Sequence, residues 1–371
     1  MDSRVLITGG AGFIGSHLAT ELLDHGYAVR VADTLSPQVH GSDVDRPPYL
    51  HPDVELLRAD VTDADALGRA LDDVDHVVHF AAMVGVGQSM YEIRRYTHVN
   101  TVGTAVLLEA LAQRPVRRLV VASSMSLYGE GLYQDADGRP HTRVERSVER
   151  LRAGAWDPVG ASGEPLESLP THEDVQANLT SVYALSKYDQ ERLCLMVGRA
   201  YDIPTVALRL FNVYGPHQAL SNPYTGVLAI FAARLLNDKP PLIFEDGLQR
   251  RDFVSVYDVA RASRLALGAE DVGQGVFNVG SGTSVTIREV ADRLARVLGK
   301  DIEPVLTGQH RVGDIRHCYA DIARAQGVLG FSPQVPFDAG LEQLAAWLVD
   351  QVAVDGVDRA RDELLTRGLT L

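Results

Sequence analysis

The stretch Thr8-Gly9-Gly10-Ala11-Gly12-Phe13-Ile14-Gly15 follows the apolar run Val5, Leu6, Ile7 and precedes a helical pattern at 16–25. Glycines at these places allow a tight turn and let backbone N–H groups approach a pyrophosphate at the positive end of a helix. The spacing satisfies G-x-G-x-x-G from Gly10 and G-x-x-G-x-x-G from Gly9, in the strand–turn–helix context that gives such a pattern meaning. Asp33 closes the next strand pattern, 18 residues after Gly15. A carboxylate there accepts hydrogen bonds from an adenosine ribose and repels a 2′-phosphate, so NAD is expected rather than NADP. The plain alternative is a structural turn with a structural Asp, and both context and spacing speak against it.

Outward from this loop, strand patterns at 5–8, 29–33, 54–57, 77–80 and 119–122 alternate with amphipathic helices. That alternation predicts an α/β fold with a parallel sheet wrapped by crossovers. A long helical stretch is expected at 89–113, with a kink near Asn100. From 131 to 178 periodicity fails, and Asp135-Ala136-Asp137-Gly138, Asp157-Pro158 and Glu164-Pro165 read as turns. A long irregular loop of this kind is expected to be a lid or binding element. Helical pattern returns at 181–201 and a strand at 205–210, followed by short segments suited to a smaller domain. The tail after Pro336 reads as an amphipathic helix with a charged end, for which the sequence offers no functional role.

The 371 residues are 46% hydrophobic and 23% charged, which excludes wholesale disorder. A net charge of −14 without any basic block excludes a nucleic-acid backbone as partner, so an anionic ligand would need local Arg clusters. Two cysteines, Cys194 and Cys318, cannot form a disulfide framework or a Cys-based zinc site. No apolar run approaches the roughly 20 residues of a membrane span. MDSRVLITGG enters a strand without a charged segment followed by an apolar one, so a cytoplasmic protein is expected.

Tyr183 and Lys187 stand four apart on a predicted helix, hence on one face. The only lysines are Lys187, Lys239 and Lys300, and with 13 tyrosines about 0.1 such pairs would arise by chance. A tyrosine of pKa ~10 becomes a useful base only when cations stabilise its phenolate. Lys187 is one candidate cation, and Ser124, at a strand end in SSMSLYG (123–129), could bond the same substrate hydroxyl. Such a Ser–Tyr–Lys set suits proton removal coupled to hydride transfer. Taken alone, the Tyr–Lys pair reads as an ordinary helix-surface pair, and the glycine loop and Ser124 together turn the reading to chemistry.

TGGAGFIG, Asp33, Asp60-Val61, Phe80-Ala81-Ala82, Asn100, SSMSLYG, YALSK (183–187) and FNVYGP (211–216) follow the order of the extended short-chain dehydrogenase/reductase family, which the chain resembles over nearly its whole length. The resemblance implies a Rossmann-type doubly wound parallel sheet with a smaller C-terminal α/β domain for a nucleotide-sugar substrate. It implies a first domain at 1–212 plus about 253–279, with the inserted loop 131–178, and a second at 213–252 and 280–371. Catalytic roles would fall to Ser124, Tyr183 and Lys187. The cofactor would lie on Gly9, Gly12, Phe13, Ile14, Gly15, Asp33, Ala81, Ala82 and Lys187, with Asp60 and Val61 at the adenine and Asn100 supporting the active-site helix. The substrate would meet Ser124, Ser126, Asn212, Arg251 and Arg311, the last three at the diphosphate, while Ile243 and Phe244 pack its base. The helix of Tyr183 and that at 89–113 resemble the pair through which family members form homodimers.

Absences narrow the reaction. Relatives that dehydrate at C4–C6 carry an Asp-Glu pair where this chain has Met125 and Ser126, and uronic-acid decarboxylases carry an Arg where it has Tyr188. Oxidation at C4 followed by return of the hydride, a 4-epimerisation, is what remains. SSMSLYGEGLY, NPYTGVLAIF (222–231) and FEDGLQRRDFV (244–254) resemble the subgroup that interconverts dTDP-L-rhamnose and dTDP-6-deoxy-L-talose in deoxysugar biosynthesis. A UDP-sugar 4-epimerase acting on glucose/galactose or a uronic acid, and a net nucleotide-4-keto-sugar reductase, stay open at this point. An NAD-binding scaffold without turnover would not need Ser124, Tyr183 and Lys187 together.

Overall fold

A computed structural model describes residues 3–224 and 226–370. Met1 and Asp2 of the expected first domain, Thr225 of NPYTGVLAIF and Leu371 of the expected second domain lie outside the described residues. Seven strands form the main sheet: β1 Arg4–Thr8, β2 Ala28–Asp33, β3 Glu55–Arg58, β4 His76–His79, β5 Arg118–Ser124, β6 Thr205–Leu210 and β7 Gln274–Val279. Their order is β7-β6-β5-β4-β1-β2-β3, and all six pairings are parallel. The order reverses between β1 and β4, where Thr8 pairs with His79, and the carboxyl ends of strands at such a switch point open a crevice.

Both faces of this sheet are covered, which is why its strands read as apolar runs. Val5 and Ile7 point into one core with helices α1 (Phe13–Asp24) and α5 (Val256–Gly268), while Leu6 points into the other. That second core receives Leu107, Leu108 and Leu111 of α2 (Gly103–Gln113) and Cys194 and Leu195 of α3 (Val182–Ala200). A separate core gathers around α4 (Val227–Leu236), α6 (Ile287–Val297) and α7 (Phe337–Leu348), with Phe231, Leu294 and Leu344 inside it. Residues 256–268 and 274–279 thus return to the main sheet, and Ala325, Leu329 and Phe331, from the expected second domain, pack in its first core as well. Among the described residues no helix is long and apolar enough to cross a membrane.

Three local expectations need correction. The helix at 89–113 starts at Ile93 and widens into a π-helical turn, Thr97–Val102, before α2. The kink expected near Asn100 takes this form, the type of bulge that re-aims a side chain. The stretch 131–178 is not structureless: Leu132–Gln134 pairs antiparallel with Pro140–His141 and Glu167–Leu169, and Val148–Arg152 is helical. Strands of two or three residues carry too few side chains for alternation to show. The tail after Pro336 holds two helices, α7 and α8 (Val357–Thr366), rather than one.

Candidate active site

One cavity of about 900 Å³ runs along the carboxyl edge of the sheet and on into the second core. At one end Gly9 adopts φ +68°, and a Cβ there would stand 2.7 Å from Ala81 N. A Cβ on Gly15 would stand 2.4 Å from Gly10 Cα, so the loop closes onto α1 only as glycine. Helix α1 starts at Phe13 with no side-chain cap and no acid in its first turn, leaving its amide end open to an anion. Asp33 Oδ2 accepts from Ala11 N (3.1 Å) and Oδ1 from Leu35 N (2.9 Å), so the same carboxylate that faces the cavity also braces the glycine loop. Burial, with the Asp33 charge adding to it, pushes the neighbouring Tyr49 phenol up to about 12. Asp60, Val61, Ala81 and Ala82 line the cavity nearby. These features fit a dinucleotide. Asn100 lies behind the wall instead, holding Met83 N (2.7 Å) and Met83 O (3.1 Å) and donating to Ser186 Oγ (2.9 Å). It ties the segment after β4 to α3.

Midway along, β5 delivers Ser124 and α3 delivers Tyr183 and Lys187 to the wall. Ser124 Oγ accepts from Ser126 N (3.2 Å) and Ser126 Oγ (2.9 Å), which leaves its own proton to donate. Burial pushes the Tyr183 phenol above its ordinary value, and the Ser124 hydroxyl pulls it back toward phenolate. The Lys187 ammonium is turned to Gln190 Oε1 (2.6 Å), and burial lowers it to about 8. In this geometry the Ser124 hydroxyl is a counterweight to Tyr183 burial.

The sequence reading missed the layer behind Lys187. Gln190 Nε2 meets Thr104 Oγ1 (2.9 Å), His79 Nε2 (3.1 Å) and Ala81 O (3.3 Å). Burial, helped by the Lys187 charge, lowers His79 to about 3, so the ring is neutral. Its Nδ1 contacts Thr8 Oγ1 at 2.7 Å, tying β4 to the start of the glycine loop. Gln190 was detectable as the residue one turn beyond Lys187 on the same helix face. His79 and Thr104 carry no such mark, because their spacing to Lys187 exists only in the fold.

At the far end Arg251 donates to Arg250 O (2.8 Å), Arg316 O (2.9 Å) and Ile315 O. Burial lowers its pKa. Arg311 clasps Asp314 Oδ1 through Nε (3.0 Å) and Nη2 (2.7 Å), and its guanidinium stands 5.4 Å from the Phe244 ring centroid. Ile243, Phe244, Ser126 and Asn212 also line the cavity. Asn212 Oδ1, Gln218 Oε1 and Gln249 Oε1 are buried on this wall with no partner, the kind of orphaned acceptor that a bound ligand satisfies. This wall is braced by the inserted stretch: Arg146 donates to Glu130 Oε1 and Glu245 Oε1, each at 2.6 Å, and Arg316, which holds Asp246 Oδ2 at 2.9 Å, meets Asp157 Oδ1 of the stretch at 2.7 Å. Helix α8 also lines the cavity, through Val357, Ala360, Arg361 and Leu364, which the sequence did not suggest.

The chain matches the NAD dependent epimerase/dehydratase family over residues 5–150 and 151–280. It is 38% identical to a dTDP-L-rhamnose 4-epimerase of Burkholderia thailandensis, over 94% of this chain and 96% of that one. A UDP-N-acetylglucosamine 4-epimerase of Methanobrevibacter ruminantium, solved with UDP-N-acetylmuramic acid, superposes with a TM-score of 0.78 at 30% identity, covering 95% of this chain and 99% of that chain. The Thermus thermophilus UDP-glucose 4-epimerase, solved with NAD, superposes with a TM-score of 0.73 at 32% identity, covering 94% and 100% respectively.

Proposed function

The chain belongs to the NAD dependent epimerase/dehydratase family, and we propose that within it the protein is a nucleotide-sugar 4-epimerase whose substrate is dTDP-L-rhamnose, interconverted with dTDP-6-deoxy-L-talose. It is an NAD-dependent enzyme with one cavity for both ligands. One observation carries the reaction type. The carboxylates lining the cavity, among the described residues, are Asp33 and Asp60 in the dinucleotide half and Asp314, already clasped by Arg311. None stands beside Ser124, where Met125 and Ser126 follow in the chain, so no acid–base pair is present to expel water from the sugar. Met83, Val84, Val86, Met125 and Phe211 make much of this wall apolar, which suits a 6-deoxy sugar's methyl group.

Catalytic roles follow from the positions. Tyr183, as phenolate, takes the proton of the C4 hydroxyl. Ser126 occupies the acceptor side of Ser124, so its one proton is free to donate, to Tyr183 before the substrate binds and to the C4 oxygen afterwards. NAD, when bound, supplies a reversible acceptor for the C4 hydride. Arg251, Arg311 and Asn212 anchor the diphosphate, and Ile243 and Phe244 pack the base, so the 4-keto sugar can turn while its nucleotide stays in place. Tyr183 then returns its proton to the inverted C4 oxygen. Lys187, held by Gln190, sets the position of the cofactor ribose and keeps positive charge near the phenolate.

The test is incubation with dTDP-L-rhamnose in deuterated water without added coenzyme, following the sugar C4 proton by NMR. A talose-configured product that retains its C4 proton is expected. Epimerisation of UDP-glucose or UDP-galactose instead would keep the mechanism and replace the substrate. Turnover only with stoichiometric NAD(P)H would replace the epimerase by a reductase.

A further inference from the structure

Helix α8 places one more cation on the cavity wall. Arg361 donates through Nη2 to Gln309 Oε1 at 3.1 Å. Among the described residues it makes no other hydrogen bond and no ion pair, and its buried Nε has no partner. The neighbouring cations differ. Arg311 is paired with Asp314, and Arg251 gives three of its five N–H groups to backbone carbonyls. Gln309 O accepts from Glu245 N (2.9 Å), which sets Arg361 beside the wall of Phe244 and two residues from Arg311 along the chain of its partner. A guanidinium with free donors on a largely enclosed wall is costly unless an anion or acceptor completes it.

The helix is strapped where it stands. Glu363 Oε2 accepts from Tyr224 Oη (2.7 Å) and Tyr91 Oη (3.0 Å) on one side of the cavity. Arg234 Nη1 meets Asp355 (3.1 Å) and Asp358 (3.0 Å) on the other, and Val312 N donates to Leu369 O (3.0 Å). These contacts hold the helix that carries Arg361 against the cavity wall.

Resting on the nucleotide-sugar reading above, we propose that Arg361 is a further binding residue for the diphosphate of the substrate, supplied by the C-terminal helix. Its free donors answer a phosphate oxygen in the geometry that suits a guanidinium fork.

Binding of dTDP and of thymidine to the NAD-loaded protein and to its R361M and R361K variants, by ligand-observed NMR titration, tests this. R361M is expected to weaken dTDP at least tenfold while leaving thymidine within twofold, and R361K to recover part of the loss. In turnover, KM for the nucleotide sugar should rise by a similar factor with kcat within twofold. Unchanged dTDP affinity in R361M overturns the proposal, as does an equal loss for thymidine, which would assign Arg361 to the nucleoside or to the wall. Thermal melting is the folding control, and R361Q substitutes for R361M if the latter does not melt as the wild type does. Wild-type protein that binds neither dTDP nor UDP would overturn the nucleotide-sugar reading itself, a result distinct from either variant outcome.

Discussion

In the proposed mechanism Ser124 bears on the protonation of Tyr183. Burial opposes the phenolate, and the Ser124 hydroxyl is the group that favours it. Since proton removal requires phenolate, activity rises with pH through the Tyr183 pKa, and losing Ser124 moves that limb upward. S124A is expected to lower kcat at neutral pH by roughly 10- to 100-fold, the equivalent of about 1.5–3 kcal/mol for a hydrogen bond to a charged group. Part of the activity should return as pH rises, and a pH–rate profile checks it. A variant whose deficit is the same at every pH would show that Ser124 orients substrate without tuning Tyr183. At this scale the sequence was informative: the spacing of Tyr183 and Lys187 on one helix face survives into the structure, and Ser124 sits at a strand end as its pattern indicated. Gln190, His79 and Thr104 were not legible as one cluster, because 111 and 86 residues separate Gln190 from the latter two.

Among elements, the inserted stretch 131–178 is the least legible and the most consequential. Its Arg146 joins Glu130, at the end of the Ser124 motif, to Glu245, which follows Phe244 on the cavity wall. Burial raises the Glu130 carboxyl against the pull of Arg146. Burial would raise Glu245 too, yet hydrogen bonds from His310 and Arg146 hold it below its usual range. Stability from Glu245 is therefore present above the ordinary carboxylate range and is lost as pH falls through its depressed value. R146M leaves buried Glu130 without its cation and Glu245 with Arg316 and His310 alone, at a cost of about 3–5 kcal/mol. Thermal melts at pH 8 and pH 5 check this. The deficit should shrink at pH 5, because in the variant the uncompensated carboxylates take up protons there. A deficit independent of pH would point to lost packing instead. Sequence periodicity could not show any of this, since ion pairs leave no period and the strands concerned span two or three residues.

For the whole molecule, the two halves of the cavity are filled from one sheet edge, so cofactor binding should register as global stability. Ligand at a hundred times its Kd stabilises by about 2.7 kcal/mol. NAD is expected to raise the unfolding temperature more than NADP at equal concentration, because Asp33 faces the site with its charge. D33N keeps an acceptor for one loop N–H and removes the charge, so it should narrow the difference between the two coenzymes; an unchanged preference would remove Asp33 as its source. The sequence by itself determined the α/β alternation, the glycine loop, the strand ends and the face of the Tyr183 helix. These are encoded by local spacing, either period 2 or 3.6 or a fixed turn geometry. Only the tertiary structure decided that Gln190, His79 and Thr104 meet behind Lys187, that Arg146 joins Glu130 to Glu245, and that Arg361 of α8 reaches the cavity. Each of those is a contact between residues far apart in the chain, chosen by which apolar faces pack and which charges find partners after the backbone has folded.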